Sequence, residues 1–120
     1  MQGCIAYADS NKLNMAIAIY DVNGQLVHFV KMDGASAGTA KVAQWKGLSA
    51  AIYQFSTEET GKWNVLTAPD IATVPGGLVI KTKEGYPIGG IGLSGAASSV
   101  DVKCAEVGLK AAGLFHIDKK

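Results

Sequence analysis

Two histidines, His28 and His116, are the residues of this chain best suited to act as a general base or an axial metal ligand. His28 falls mid-strand, on the side of Leu26 and Val30, where a single histidine is more often packed than liganding. His116 falls in a C-terminal tail and reads as solvated. Lys46 lies in the middle of a helical stretch, two residues from Gln44 and one turn from Ser49. It is read either as part of a solvated face or as a base. Asp21, Asp33 and Asp101 each sit at the end of an element, where turn and cap chemistry are the ordinary uses of aspartate. Trp45 and Trp63 could line a pocket for a flat ligand, although burial in a core or interface is commoner. No Ser/His/Asp order, metal-ligand spacing or phosphate-cradling lysine motif is present, so no metal site is expected.

Gly90-Ile91-Gly92-Leu93-Ser94-Gly95 matches the G-x-G-x-x-G pattern letter for letter. A dinucleotide site would need that motif after a strand, then a helix, then a second strand carrying an acid. Here the motif lies inside a strand and no second strand follows. The glycines are therefore read as places where a helix or ligand comes close to the backbone. The loop after them feeds a helix N-terminus, so Gly92, Ser94, Gly95 and Ser98 form a candidate loop for an anionic group such as a carboxylate.

These residues sit on a chain of 120 residues, read as one domain, 1–120. Its hydrophobic fraction of 48% suffices for a core. Eleven basic against ten acidic residues leave a net charge of +1, which argues against nucleic acid. No apolar run approaches the roughly 18 residues of a membrane helix, so no membrane partner is expected. The N-terminus lacks a basic segment followed by an apolar core, and the expected location is cytoplasmic. Cys4 and Cys104 stand at opposite ends of the chain. They are read as two small core residues on terminal helices. A disulfide would require those helices to pack side by side.

The elements that position these residues follow from periodicity. Residues 2–13 read as a short uncapped helix. Residues 15–20 form a continuous apolar run, suited to a strand buried on both faces. Asn23-Gly24 signals a tight turn, with both residues expected at positive φ. Residues 25–32 return as a strand, with Leu26, His28, Val30 and Met32 on one side and Val27, Phe29 and Lys31 on the other. Residues 36–55 are helical, with a stripe of small residues at Ala40, Ala43, Gly47, Ala50 and Ala51 that allows close approach to a neighbour. Ser56 and Glu59 fit a capping box before a short helix reaching toward Asn64. Residues 65–73 read as a covering loop. A second hairpin joins strands 78–83 and 86–94. Residues 98–101 read as a cap, 102–112 as the last helix, Gly113 as its stop and 114–120 as a tail. Both strand pairs are joined by tight turns. The expected fold is α+β: a single antiparallel sheet built from two hairpins with flanking helices, profilin-like.

Three stretches taken together resemble the GlcG/HbpS-like family of haem-binding proteins, which also includes the C-terminal domain of PduO-type adenosyltransferases. The first is Asp21 and Gly24 followed by Lys31-Met32-Asp33-Gly34-Ala35. The second is Ala43-Gln44, Lys46 and Ser49-Ala50-Ala51, with Phe55-Ser56-Thr57. The third is Pro75-Gly76-Gly77, then Ile88 to Gly95, Asp101, Cys104-Ala105 and Gly108. They span about residues 15 to 112. The resemblance implies an antiparallel sheet with flanking helices, a homo-oligomer (often an octamer) and binding of haem or a related molecule. It places Lys31, Asp33, Gln44 and Lys46 around the ligand. Members often carry arginine at Lys31, threonine at Ser49, proline at Val79 and a histidine in or just after the first turn, where this chain has Asn23 and Gln25. His28 is then the expected axial ligand. The first helix is shorter than in most members, so the chain is expected to begin late.

The preferred reading is a small homo-oligomeric protein that binds haem or another flat small molecule, in haem handling or redox sensing. An enzyme moving protons on, or adding to, an organic acid or enone would instead use Lys46 or His28 as base and the Gly92–Ser98 loop for the acid group. A scaffold subunit without a ligand is the third reading.

Overall fold

The computed structural model describes residues 1–65 and 67–116. It contains α1 (Gln2–Ser10), β1 (Ala16–Asp21), β2 (Leu26–Lys31), α2 (Ala37–Tyr53), α3 (Thr57–Thr60), β3 (Gly77–Lys81), β4 (Pro87–Ser94) and α4 (Ser98–Ala111). The strands form one antiparallel sheet in the order β2-β1-β4-β3. The architecture is the expected α+β one. The two hairpins join through β1 and β4, whose register runs from Ala16 opposite Ser94 to Asp21 opposite Gly89. β1 and β4 are thus central, which accounts for the unbroken apolar run of β1.

Each face of the sheet is covered differently. On one face α2 lies almost backbone to backbone on β4. A Cβ on Gly92 would overlap the Ala43 carbonyl and the Gly47 amide, and one on Gly90 would meet the Ala51 amide. The small-residue stripe and the strand glycines are two halves of this single contact. On the opposite face Ile17, Ile91, Leu93, Leu78 and Ile80 pack beneath α1 and α4 with Ala8, Ala105 and Leu109.

Local chemistry sets most element ends. The Ser36 hydroxyl accepts from the Thr39 amide (3.1 Å) and starts α2. Ser56 does the same for α3 through the Glu59 amide (3.2 Å), as expected, though α3 ends at Thr60 rather than near Asn64. In the β1–β2 turn only Gly24 adopts positive φ (82°); Asn23 does not. The turn is a three-residue loop closed by Asp21, whose carboxylate accepts from the Asn23 (2.9 Å) and Gln25 (3.0 Å) amides.

Three further expectations change. Ser98 is not a cap: α4 begins at Ser98 after Ala97, which contributes no side-chain bond. The segment after Gly113 returns to the sheet, where Phe115 pairs with Lys81; residues 117–120 of the expected tail lie outside the described residues. Cys4 and Cys104 do more than fill the core. Packing of α1 against α4 brings their Cα atoms to 4.9 Å and they form a disulfide across 100 residues of chain. Gly108 faces Cys4, and a Cβ on Gly3 would press on Ala111, so small residues allow the approach.

Candidate functional site

Two hollows flank β1, one on each face of the sheet. The first is an apolar cavity of about 250 Å³ between the sheet and the α4 side, lined by Ile19, Val27, Ile80, Ile91 and Leu109, with Met1 at the start of α1. Its rim depends on an irregularity in β2. Ile19 pairs with His28 but Tyr20 pairs with Leu26, so Val27 is an inserted residue. The bulge breaks the expected alternation and turns Val27 to the cavity side, where it stays mostly exposed. His28, directly across from Ile19, shares that face and is exposed.

The second hollow is a polar cleft of about 300 Å³ on the α2 face, lined by Tyr20, Lys41, Gln44, Trp45, Leu48 and Asp70. Residues 41, 44, 45 and 48 are adjacent on one side of α2. The loop carrying Asp70 is fastened along that helix. Trp45 Nε1 donates to the Ile71 carbonyl (2.9 Å), the Ala72 amide donates to Ser49 Oγ (2.9 Å) and the Tyr53 hydroxyl donates to the Pro69 carbonyl. The loop therefore covers the flank of α2.

The expected site residues are dispersed between these regions. Lys46 is buried, its ammonium donating to the Leu93 carbonyl (2.9 Å) and to Asp101 Oδ2 (3.1 Å). It faces neither a solvated surface nor a cavity, because it shares the buried face of α2 with Ala43, Gly47 and Ala50. Asp101 is equally buried and its Oδ1 has no partner. Burial pushes its carboxyl above the ordinary 3.8, against the opposing pull of the Lys46 charge and hydrogen bond. Lys31 donates to the Ala35 carbonyl (2.9 Å), bracing the turn that holds exposed Asp33. Gln44 lies in the polar cleft, across the sheet from His28. His116 is not simply solvated: its Nε2 lies 3.6 Å from a Glu106 carboxylate oxygen.

In the anion-loop candidate, Gly92 serves the α2 contact. Gly95 (φ 128°) carries the chain past Asn14, while Ser94 and Ser98 flank the corner. The protein's own Asp101 carboxylate occupies the first turn of α4, where an external anion would otherwise be favoured. Sequence reasoning overlooked Tyr20 and Asp70 as site residues. Tyr20 was hidden in an apolar run, and Asp70 in a loop without period.

Among the described residues no group of three or more His, Cys, Asp or Glu could hold a metal ion, and no helix is long and apolar enough to cross a membrane.

The geometry defines an α+β protein with a helix-covered antiparallel sheet, an apolar cavity on one face and a polar cleft on the other. The chain belongs to the family described as haem degrading protein HbpS-like, which matches it over residues 1–110. No curated relative matches it in sequence. Among solved structures it is similar to that of a PduOC–haem complex, with a TM-score of 0.87 at 19% identity, covering 98% of this chain and 91% of that one. It is also similar to a double mutant of Streptomyces reticuli HbpS (TM-score 0.85, 24% identity, 93% and 80% covered). A third likeness is Klebsiella pneumoniae ORFY (TM-score 0.81, 22% identity, 91% and 81% covered). At these identities the likenesses establish the shared fold.

Proposed function

We propose that this protein binds haem, or a related flat and mostly apolar molecule, on the face of the sheet that carries the apolar cavity. The observation behind this reading is the cavity itself, walled by Ile19, Ile80, Ile91 and Leu109, with the His28 imidazole exposed on the same face. The residues fit the group: aliphatic walls suit a macrocycle, and an exposed imidazole without a hydrogen-bond partner among the described residues suits its iron. When bound, haem would supply iron-centred redox chemistry. The protein's part would be to orient the ring and exclude water from it. The likeness to a haem complex and to HbpS supports the same ligand class.

At about 250 Å³ the cavity is smaller than the roughly 300–1,000 Å³ that encloses a drug-sized ligand. It would hold one edge of the ring, leaving the rest over Val27 and Ile88, which are 63% and 45% exposed. Val22 and Tyr86 extend this apolar surface at the end of the sheet where both hairpin turns lie. A second copy of the chain would cover it, so the reading includes a homo-oligomer. Lys31 and Gln44, on the other face, would reach the same ligand only from a neighbouring copy.

Haem titration followed by absorbance tests the proposal on wild type and His28→Ala. The wild type should give a saturable Soret shift, and the variant should lose it or weaken by at least about tenfold, the worth of one good ligand bond. A flat wild-type titration refutes haem binding. An unchanged His28→Ala titration refutes His28 as the ligand.

A further inference from the structure

We infer that the polar cleft on the α2 face is a second binding site, for a small zwitterion carrying an ammonium and a carboxylate on a short apolar chain. Three observations converge there. First, the Tyr20 ring is more than nine-tenths buried, yet its hydroxyl, at the cleft, has no hydrogen-bond partner among the described residues. The ring is packed away while the hydroxyl opens to the cleft, where it can give a hydrogen bond to a ligand or accept one from it. Burial, and then the nearby Asp70 charge, push its proton affinity above the ordinary 10.0, so it stays a neutral donor and acceptor.

Second, Asp70 is presented rather than merely exposed. It stands in the left-handed backbone region (φ 59°), which non-glycine residues rarely adopt. Three side chains of α2 fasten its loop: Trp45, Ser49 and Tyr53. Its carboxylate makes no hydrogen bond or ion pair among the described residues. A carboxylate held on a fastened loop loses little freedom when it receives a cation.

Third, Lys41 lies on the same cleft and forms no ion pair with Asp70, so the two charges face a common space with neither neutralised. Between them stand the Gln44 amide and the apolar Trp45 and Leu48. An ammonium group is matched by Asp70 and Tyr20, a carboxylate by Lys41 and Gln44, and a short methylene chain by Leu48 and the Trp45 indole. A molecule with one charge would leave the opposite protein charge unmet.

The probe is 4-aminobutyrate, with butylamine and butyrate as single-charge controls. The readout is the Trp45 indole N–H resonance, assigned by its persistence in Trp63→Phe. At millimolar probe the zwitterion should shift that resonance saturably while each control does so at least about tenfold more weakly, the loss expected for one charged contact. Asp70→Asn and Tyr20→Phe, both close to the original in size, should weaken binding by a similar factor. Haem titration of Asp70→Asn should remain as in wild type, because Asp70 borders only the polar cleft, whereas Tyr20 borders the apolar cavity as well. No shift with 4-aminobutyrate overturns the inference. Equal shifts with butylamine overturn the zwitterion assignment, and unchanged binding by Asp70→Asn overturns the site.

Discussion

Replacing Lys46 with methionine should destabilise the protein at neutral pH and lose most of that effect in acid. The ammonium and the Asp101 carboxylate stand 3.1 Å apart, an attraction of about 5 kcal/mol at an effective dielectric of about 20. Their side chains are only 3% and 1% exposed, so water cannot substitute for the missing partner. Methionine fills most of the space of the lysine stem, which keeps cavity effects small. It leaves a buried carboxylate that already lacks a partner at Oδ1. Removing one member of such a pair costs about 3–5 kcal/mol. For a chain of this size that corresponds to a fall of about 10–20 °C in Tm.

The remedy available to the variant is protonation. Burial already raises the Asp101 carboxyl above 3.8, and loss of Lys46 removes the charge and hydrogen bond that do most to hold it down, leaving only the Ala96 amide to oppose burial. The deficit of Lys46→Met should therefore shrink as pH falls. Adding Asp101→Asn, which removes the stranded charge, should recover most of the stability at neutral pH. Urea unfolding of wild type, single and double variants across pH measures this. If the double variant is no more stable than the single one at neutral pH, a buried ion pair is not what secures this corner.

Three further predictions follow from other contacts. In the wild type, Asp101 binds protons more tightly folded than unfolded, so the stability it contributes is present below 3.8 and lost as pH rises through its raised folded value; measured against Asp101→Asn, wild-type stability should decline over that window. Gly92→Ala should cost about 3 kcal/mol or more by forcing α2 off β4, whereas Gly85→Ala, with open space but φ of 92°, should cost only about 1–2 kcal/mol in thermal melts. Reduction of Cys4–Cys104 should lower stability by about 2–4 kcal/mol, with thiol titration rising from none to two per chain; an unchanged melt after complete reduction would show that α1 docks on α4 without it.

How much of this was legible in the sequence depends on how far apart the partners are along the chain. The Asn23-Gly24 turn, the Ser56 cap and the Gly113 stop are made by neighbours, and local chemistry announces them. The small face of α2 and the glycines of β4 were each visible, because close approach leaves the same mark on both partners. Even the burial of Lys46 has a local trace in its helical neighbours Ala43, Gly47 and Ala50. What could not be read was pairing across long separations. Nothing near Asp101 names Lys46 as its counter-charge, and nothing near Cys4 names Cys104. The bulge at Val27 was equally silent, since a strand pattern alone does not reveal an inserted residue.

The two faces of the sheet explain why the matched family positions do not gather into one site within a chain. α2 must lie against β4 with no side chain between them, so whatever it carries toward the sheet is buried: Lys46 becomes an internal tie rather than a ligand-binding group. Its outward flank keeps Lys41, Gln44 and Trp45 for solvent or a ligand. The other face has room because α4 and α1 are held off the sheet by the side chains of Ile17, Ile91 and Leu93. That layer ends near the bulge, which is where the apolar cavity opens and where His28 stands. A ligand needing both His28 and Gln44 would have to meet them from different copies. The oligomeric state and the haem titration therefore bear on the same question.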